Sequence, residues 1–250
     1  MIENPFILRS SGPPCLISPF PGSCSDNTSF PGDQSTDAFA RRCTLDVAFR
    51  RVTIRRVSNK HPHASADHAY QPYYCEENIW RLAQDPRCGD GERLVALITN
   101  YSGQFAMWHQ RPADGPGEPL LWDYHVVLLV NHHGWQVWDF ECDLGLTLPA
   151  LDWCNACFPQ QQNIRPAYHP YFRVMPAADY VATLRSDRSH MRDAKGNFRK
   201  PPPPWSPPGG GSDTNLAQFI DLSQPVAGEI YDLDGLKQKM EFLEPKSHDG

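Results

Sequence analysis

Three side chains in this sequence have the types needed for nucleophilic chemistry at a carbonyl: Cys75 in YYCEENIWRL, His125 in WDYHVVLL and Asp139 in VWDF. A thiolate attacks the carbonyl carbon, an imidazole takes the thiol proton, and a carboxylate holds the imidazole in the tautomer that can do so. Cys75 opens EENIWRLAQ, whose good helix formers place Ile79, Leu82 and Ala83 at helical spacing, with Glu76 and Glu77 in the first turn where carboxylates suit the helix dipole. A thiol at a helix N-terminus or beside an imidazolium is expected to titrate below its usual value of about 8.5. Each of the three also has a structural role open to it. Free cysteine is often simply buried, a core histidine needs one hydrogen-bond partner, and an aspartate can end a strand.

The elements that must position them follow from periodicity. Arg93–Thr99, Gln104–Gln110, Leu121–Val130 and Gly134–Phe140 are rich in β-branched, aromatic and alternating residues and are expected as strands, with YFRVMPA as a later strand and AADYVATLRSD and LDGLKQKMEFL as helices. A helix followed by consecutive strands gives an α+β class with an antiparallel sheet. If Asn131–His133 is the loop of the hairpin, Val130 faces Gly134 and His125 lands opposite Asp139 on one face. A loop one residue longer would separate them to opposite faces.

Composition sets the bounds. The chain has 250 residues and a net charge of −6, enough for one substantial core. No apolar run approaches the roughly 18 residues of a membrane span, the N-terminus lacks a signal-peptide layout, and no basic stripe argues for nucleic acid. Eight cysteines at irregular spacing in a chain this size are expected to be mostly reduced, which points to the cytoplasm or nucleus. Residues 1–66 carry a net +3, are rich in Ser, Pro and Gly, and are expected to be a mostly disordered extension, with an Arg-rich binding or targeting arm as the alternative. Residues 67–250 form the expected catalytic domain. KPPPPWSPPGGGSDTN (200–215) must run over the surface, because its prolines lack N–H donors. CNAC (Cys154–Cys157) has the spacing of half a zinc site without a second half, and HPHASADH (61–68) is a weak metal candidate, so no metal is expected.

The blocks YYCEENIWRL, WDYHVVLL followed by WDF, SDRSHMRDAKGNFRKPPPPW and NLAQFI, in this order from Tyr70 to Leu243, resemble the protein N-terminal glutamine amidohydrolase family. The resemblance implies Cys75 as nucleophile, His125 as base and Asp139 as the residue orienting it, on a fold similar to the papain-like and transglutaminase-like cores. The chain order Cys, His, Asp, with the nucleophile on a helix and its base on the sheet, is the arrangement used by those enzymes. The sequence departs from the family where DFECDLG replaces an Asp-Leu-Asp pattern, so Glu141 stands for the second acid and Asp143 offers a rival to Asp139.

The implied reaction is deamidation of an N-terminal glutamine to glutamate through a thioester, without metal or organic cofactor. The implied partners are proteins or peptides with a free N-terminal glutamine, whose product feeds an N-degron pathway, and a monomer is expected. Recognition of a terminal ammonium calls for anionic or acceptor groups. The candidates are Glu76, Asp123 and Asp187, with Tyr74 and Trp122 as walls. Structural alternatives are a helix-capping charge for Glu76, a strand-edge acid for Asp123, and a partner to Arg188 or His190 for Asp187.

Overall fold

A computed structural model describes residues 68–242 of the chain. The extension expected over residues 1–66, its arginine-rich arm and all of HPHASADH except His68 lie outside the described residues. From Cys75 the chain runs through helix α1 (Cys75–Leu82), strands β1 (Glu92–Thr99), β2 (Phe105–Met107), β3 (Leu120–Trp122), β4 (His125–Asn131), β5 (Trp135–Trp138) and β6 (Thr147–Pro149), and helix α2 (Ala150–Cys157). Strand β7 (Tyr171–Pro176), helices α3 (Ala177–Thr183) and α4 (Leu216–Ile220), strand β8 (Glu229–Tyr231) and helix α5 (Leu233–Phe242) follow. Six strands form one sheet in the order β6-β5-β4-β1-β7-β8, every neighbouring pair antiparallel. The α+β class with an antiparallel sheet is therefore as expected.

Both faces of this sheet are covered. Leu94, Ala96 and Ile98 of β1 and Val127 and Leu129 of β4 pack with Trp153 of α2 and Leu236 and Met240 of α5. The alternate residues Val95, Leu97, Val126 and Leu128 pack with Ile79 and Leu82 of α1, Tyr180 of α3 and Phe219 of α4. Burial on both faces is why β1 and β4 read as near-continuous apolar runs rather than alternating ones. At roughly 1.5–3 kcal/mol for each fully buried aliphatic side chain, these two strands anchor the core. Helix α1 lies against β4, and this contact fixes the Cys75 end of the helix relative to the sheet.

Two expectations for the strands need correction. Leu121–Val130 is not one strand. The chain breaks at Asp123–Tyr124, so β3 pairs with β2 in a separate two-stranded sheet while β4 joins the large one. The hairpin also turns one residue later than expected. Asn131 pairs with Trp135 and Leu128 with Trp138, leaving His132–Gly134 as the loop. Positive φ at His133 (61°) and Gly134 (121°) closes that turn. His125 is therefore not directly opposite Asp139, which follows the last paired residue and falls level with Val127. Because the register moves by two positions, the side-chain parity is unchanged and the pair remain diagonal neighbours on one face.

The proline-rich segment does run over the surface, and it is tied down. Arg188 donates to the carbonyls of Pro203 (3.2 Å) and Trp205 (2.8 Å), and the Trp205 indole donates to Glu77 Oε2 at 3.0 Å. It is a strap across α1. CNAC lies on α2 with both thiols in the core, where burial pushes Cys154 up to about 12.

Candidate active site

Helix α1 begins with an unusual local arrangement. Tyr73 takes a left-handed backbone (φ 72°) and Tyr74 follows at the N-cap without a side-chain capping bond. A non-glycine residue at positive φ costs on the order of 1 kcal/mol, and here it turns the chain directly into Cys75. The entry is held by Asn78, whose amide donates to the Gln71 carbonyl and accepts from the Gln71 N–H, each at 2.8 Å.

Glu76, Glu77 and Asn78 are all buried. Three consecutive buried polar residues are tolerable only if each is paired. Glu77 takes a two-pronged bond from Arg188, 2.8 Å on each oxygen. Glu76 Oε2 accepts from the Tyr124 hydroxyl at 3.0 Å, and its Oε1 lies 3.2 Å from His190 Nε2. The first-turn carboxylates of α1 are thus satisfied by tertiary partners rather than by capping. SDRSHM and the proline strap brace the helix that carries Cys75.

Cys75 is half-buried, and the N–H of Val126 donates to its sulfur. That contact brings the thiol to the residue following His125. The His125 ring is 1% exposed and its Nε2 lies 2.8 Å from Asp139 Oδ1. Its Nδ1 is buried and has no hydrogen-bond partner among the described residues. With Nε2–H committed to the carboxylate, Nδ1 carries the lone pair, which is the form a base requires. Trp122 stacks on the imidazole, 4.9 Å between centroids at 16°.

Asp139 is fully buried and receives four donors: His125, the Glu141 N–H (3.0 Å), the Trp153 indole (3.1 Å) and the Gln110 amide (3.4 Å). Burial alone would raise its pKa, but the neighbouring His125 charge and these hydrogen bonds outweigh it and hold the carboxyl below its usual range. Gln110 also accepts from the Trp122 indole at 3.2 Å, closing a ring of contacts around the histidine and its carboxylate. The rival Asp143 bonds His109 Nδ1 at 3.0 Å on the surface and does not meet His125.

The electrostatics differ from expectation at the thiol. Burial pushes Cys75 well above its ordinary value, and Glu76, Asp123 and Glu141 add to the rise against the opposing Val126 N–H. Any lowering by the N-terminus of this eight-residue helix is outweighed, first by burial and then by the three carboxylates.

The remaining candidates separate by geometry. Trp122 stacks on the His125 imidazole and donates its indole N–H to Gln110. Tyr74 is buried, and its hydroxyl donates to the Lys200 carbonyl at 3.3 Å, so it anchors the strap. Asp187 accepts the Ser189 N–H at 2.8 Å and stabilises its own turn, while Arg188 belongs to Glu77. Glu76 lies 3.8 Å from the Cys75 sulfur but is occupied by Tyr124 and His190. Asp123, partly buried beside Tyr124, accepts that residue's N–H at 2.8 Å. Burial raises its pKa to about 6.

Sequence reasoning missed Gln110, Trp153, Tyr124, His190 and Tyr70, whose hydroxyl donates to Glu141 at 2.6 Å. Tyr124 sits inside WDYH with no role read for it, and His190, inside SDRSHM, is expected only as a partner of Asp187, whereas its Nε2 lies against Glu76. Nothing in local spacing marks Gln110 or Trp153.

Residues 70–240 match the model of the N-terminal glutamine amidase family. Among curated proteins, the chain is 38% identical over 174 residues to the protein N-terminal glutamine amidohydrolase of Homo sapiens, covering 66% of this chain and 83% of that protein. It is 37% identical over 177 residues to the protein of the same name from Danio rerio, covering 66% and 85% respectively. It is 32% identical over 181 residues to that from Drosophila grimshawi, covering 69% and 88%.

Proposed function

The chain belongs to the N-terminal glutamine amidase family, and from that premise we propose that it hydrolyses the side-chain carboxamide of a glutamine at the first position of a protein or peptide, using Cys75, His125 and Asp139. The observation that carries the assignment of roles is the buried His125–Asp139 bond with Nδ1 left over, beside a sulfur seated on the N–H of the next residue.

His125 Nδ1 takes the Cys75 proton as sulfur attacks the carboxamide carbon. The imidazolium, steadied by Asp139, returns that proton to the departing nitrogen, and ammonia leaves a thioester on Cys75. Water, deprotonated by the same nitrogen, hydrolyses the thioester to glutamate and restores the thiol. The oxyanion of each intermediate needs fixed donors. The Cys75 backbone N–H suits this role, since the first N–H groups of a helix have no intrahelical acceptor.

The helix-borne cysteine and sheet-borne histidine and aspartate support a papain/transglutaminase-like core within residues 67–250. The free thiols at Cys75, Cys88, Cys142, Cys154 and Cys157 suit a reducing compartment, the cytoplasm or nucleus. The glutamate product would enter an N-degron pathway, with the enzyme acting as a monomer on transient protein partners.

The test is mass spectrometry of a peptide beginning with free glutamine after incubation with the purified chain. We expect a gain of one mass unit at the first residue only, absent with Cys75→Ala. A folded, reduced chain that leaves the peptide unchanged refutes the proposal.

A further inference from the structure

We propose that the Asp123 carboxylate is the receptor for the substrate's α-ammonium group and so determines that only a free N-terminal residue enters the site. This rests on the reaction assigned above and adds the group that recognises the amine.

Five other carboxylates lie near the thiol or on the segments that frame it, and each is committed, Glu77 to the Arg188 guanidinium. Asp139 is saturated by its four donors. Glu76 holds the Tyr124 hydroxyl and faces His190. Glu141 accepts the Tyr70 hydroxyl, and Asp187 both the N–H and the hydroxyl of Ser189, whereas among the described residues no side-chain donor reaches Asp123. Asp123 differs. It sits in the break between β3 and β4, two residues before His125, and its charge acts on Cys75. Its Oδ1 accepts one backbone N–H, from Tyr124. Among the described residues it forms no ion pair, and the charge of a protonated His190 acts on it without direct contact.

A partly buried carboxylate without a bound cation is costly, and the rise of Asp123 to about 6 records that cost. An ammonium would relieve it with a charge-assisted hydrogen bond. His125 Nδ1, on a ring 1% exposed, has no partner among the described residues and marks where the scissile carboxamide must arrive. One ligand with a carboxamide at its far end and an ammonium at its near end satisfies both. The cation would also offset the share of the Cys75 rise that comes from the Asp123 charge, so binding of the correct substrate would assist formation of the nucleophile. An acylated N-terminus or an internal glutamine brings no such charge.

The test uses the full chain and does not depend on turnover. Alkylation of Cys75 by iodoacetamide is followed by peptide mapping in the presence of a peptide beginning with norleucine, which keeps the ammonium and lacks the carboxamide, or of its N-acetyl form. The free-amine peptide should slow alkylation of the wild-type chain and the acetylated one should not. Asp123→Asn, which retains an acceptor for the Tyr124 N–H, should raise the half-protecting concentration about tenfold to a hundredfold, the effect of one charge-assisted hydrogen bond. Its unprotected alkylation should be no slower than wild type, since a negative charge near the sulfur is gone.

Equal protection by both peptides, no protection of the wild-type chain, or undiminished protection in Asp123→Asn overturns the proposal. Slower unprotected alkylation of the variant would also count against it, by showing that Asp123 supports the thiol's surroundings. Failure of the assigned reaction would appear separately, as a wild-type chain that is protected by the free amine yet leaves a glutamine peptide intact.

Discussion

Replacing Asp139 by Asn tests the His125–Asp139 geometry directly, and its cost can be worked out from the contacts. All four neighbours of Asp139 are donors: His125 Nε2 and the Glu141 N–H on Oδ1, the Trp153 indole and the Gln110 amide on Oδ2. An asparagine must turn its NH2 toward one of these pairs, whichever way it is flipped. Facing Trp153 and Gln110, it leaves buried donors opposed, at about 1–3 kcal/mol of stability. Facing His125, it forces Nε2 to become the acceptor and moves the proton to Nδ1, the nitrogen that must be free to take one from Cys75.

In either orientation the imidazolium formed during attack loses a carboxylate 2.8 Å away. At an effective dielectric of about 20 such an interaction is on the order of 4 kcal/mol at 4 Å. At about 1.4 kcal/mol per factor of ten, kcat/KM should fall by about 10³ or more, with the loss in kcat rather than KM. Ammonia release from a glutamine-initiated peptide measures the rate, and thermal unfolding measures the stability. An Asp139→Asn enzyme within tenfold of wild type would refute the assignment. The companion Asp143→Asn should stay within about twofold, because its partner is His109 at the surface.

Arg188→Ala should destabilise the chain by about 3–5 kcal/mol in urea unfolding, since it leaves Glu77 charged, buried and stripped of both guanidinium bonds. An effect below about 1 kcal/mol would mean that water replaces the arginine. Iodoacetamide labelling of Cys75 should keep rising with pH beyond neutrality, because burial and three carboxylates hold the thiol up. A rate already at its plateau below pH 7 would reveal a resting thiolate–imidazolium pair instead. His190 is pushed down by burial, but its bond to Glu76 and that residue's charge raise it overall. Its contribution to stability is therefore fully present below the unfolded value of about 6.5 and is lost as pH rises through the higher folded value. Glu76→Gln should bring the His190 titration, followed by NMR of labelled histidine, down to or below 6.5, and an unmoved titration would remove Glu76 as the cause.

Several local features of the candidate site are legible in the chain itself. The side-chain type of Cys75, the acidic first turn of α1 and the apolar runs of β1 and β4 are local properties, written in composition and period. The same holds for the prolines that keep 200–215 on the surface. Parity along a strand is also local, which is why His125 and Asp139 share a face although the hairpin turns at His132–Gly134 and not one residue earlier.

Tertiary structure decided everything that depends on distant partners. It selected Asp139 over Asp143, recruited Gln110 and Trp153 to fix that carboxylate, and sent Glu76 and Glu77 to Tyr124 and Arg188 instead of the helix end. It also reversed the expected shift at Cys75, since a helix dipole is a property of a few residues while burial and the field of three carboxylates are set by the whole packed site. Sequence determines which groups a segment offers. Only the fold determines which of them lose water, and that loss sets both their pairing and their charge.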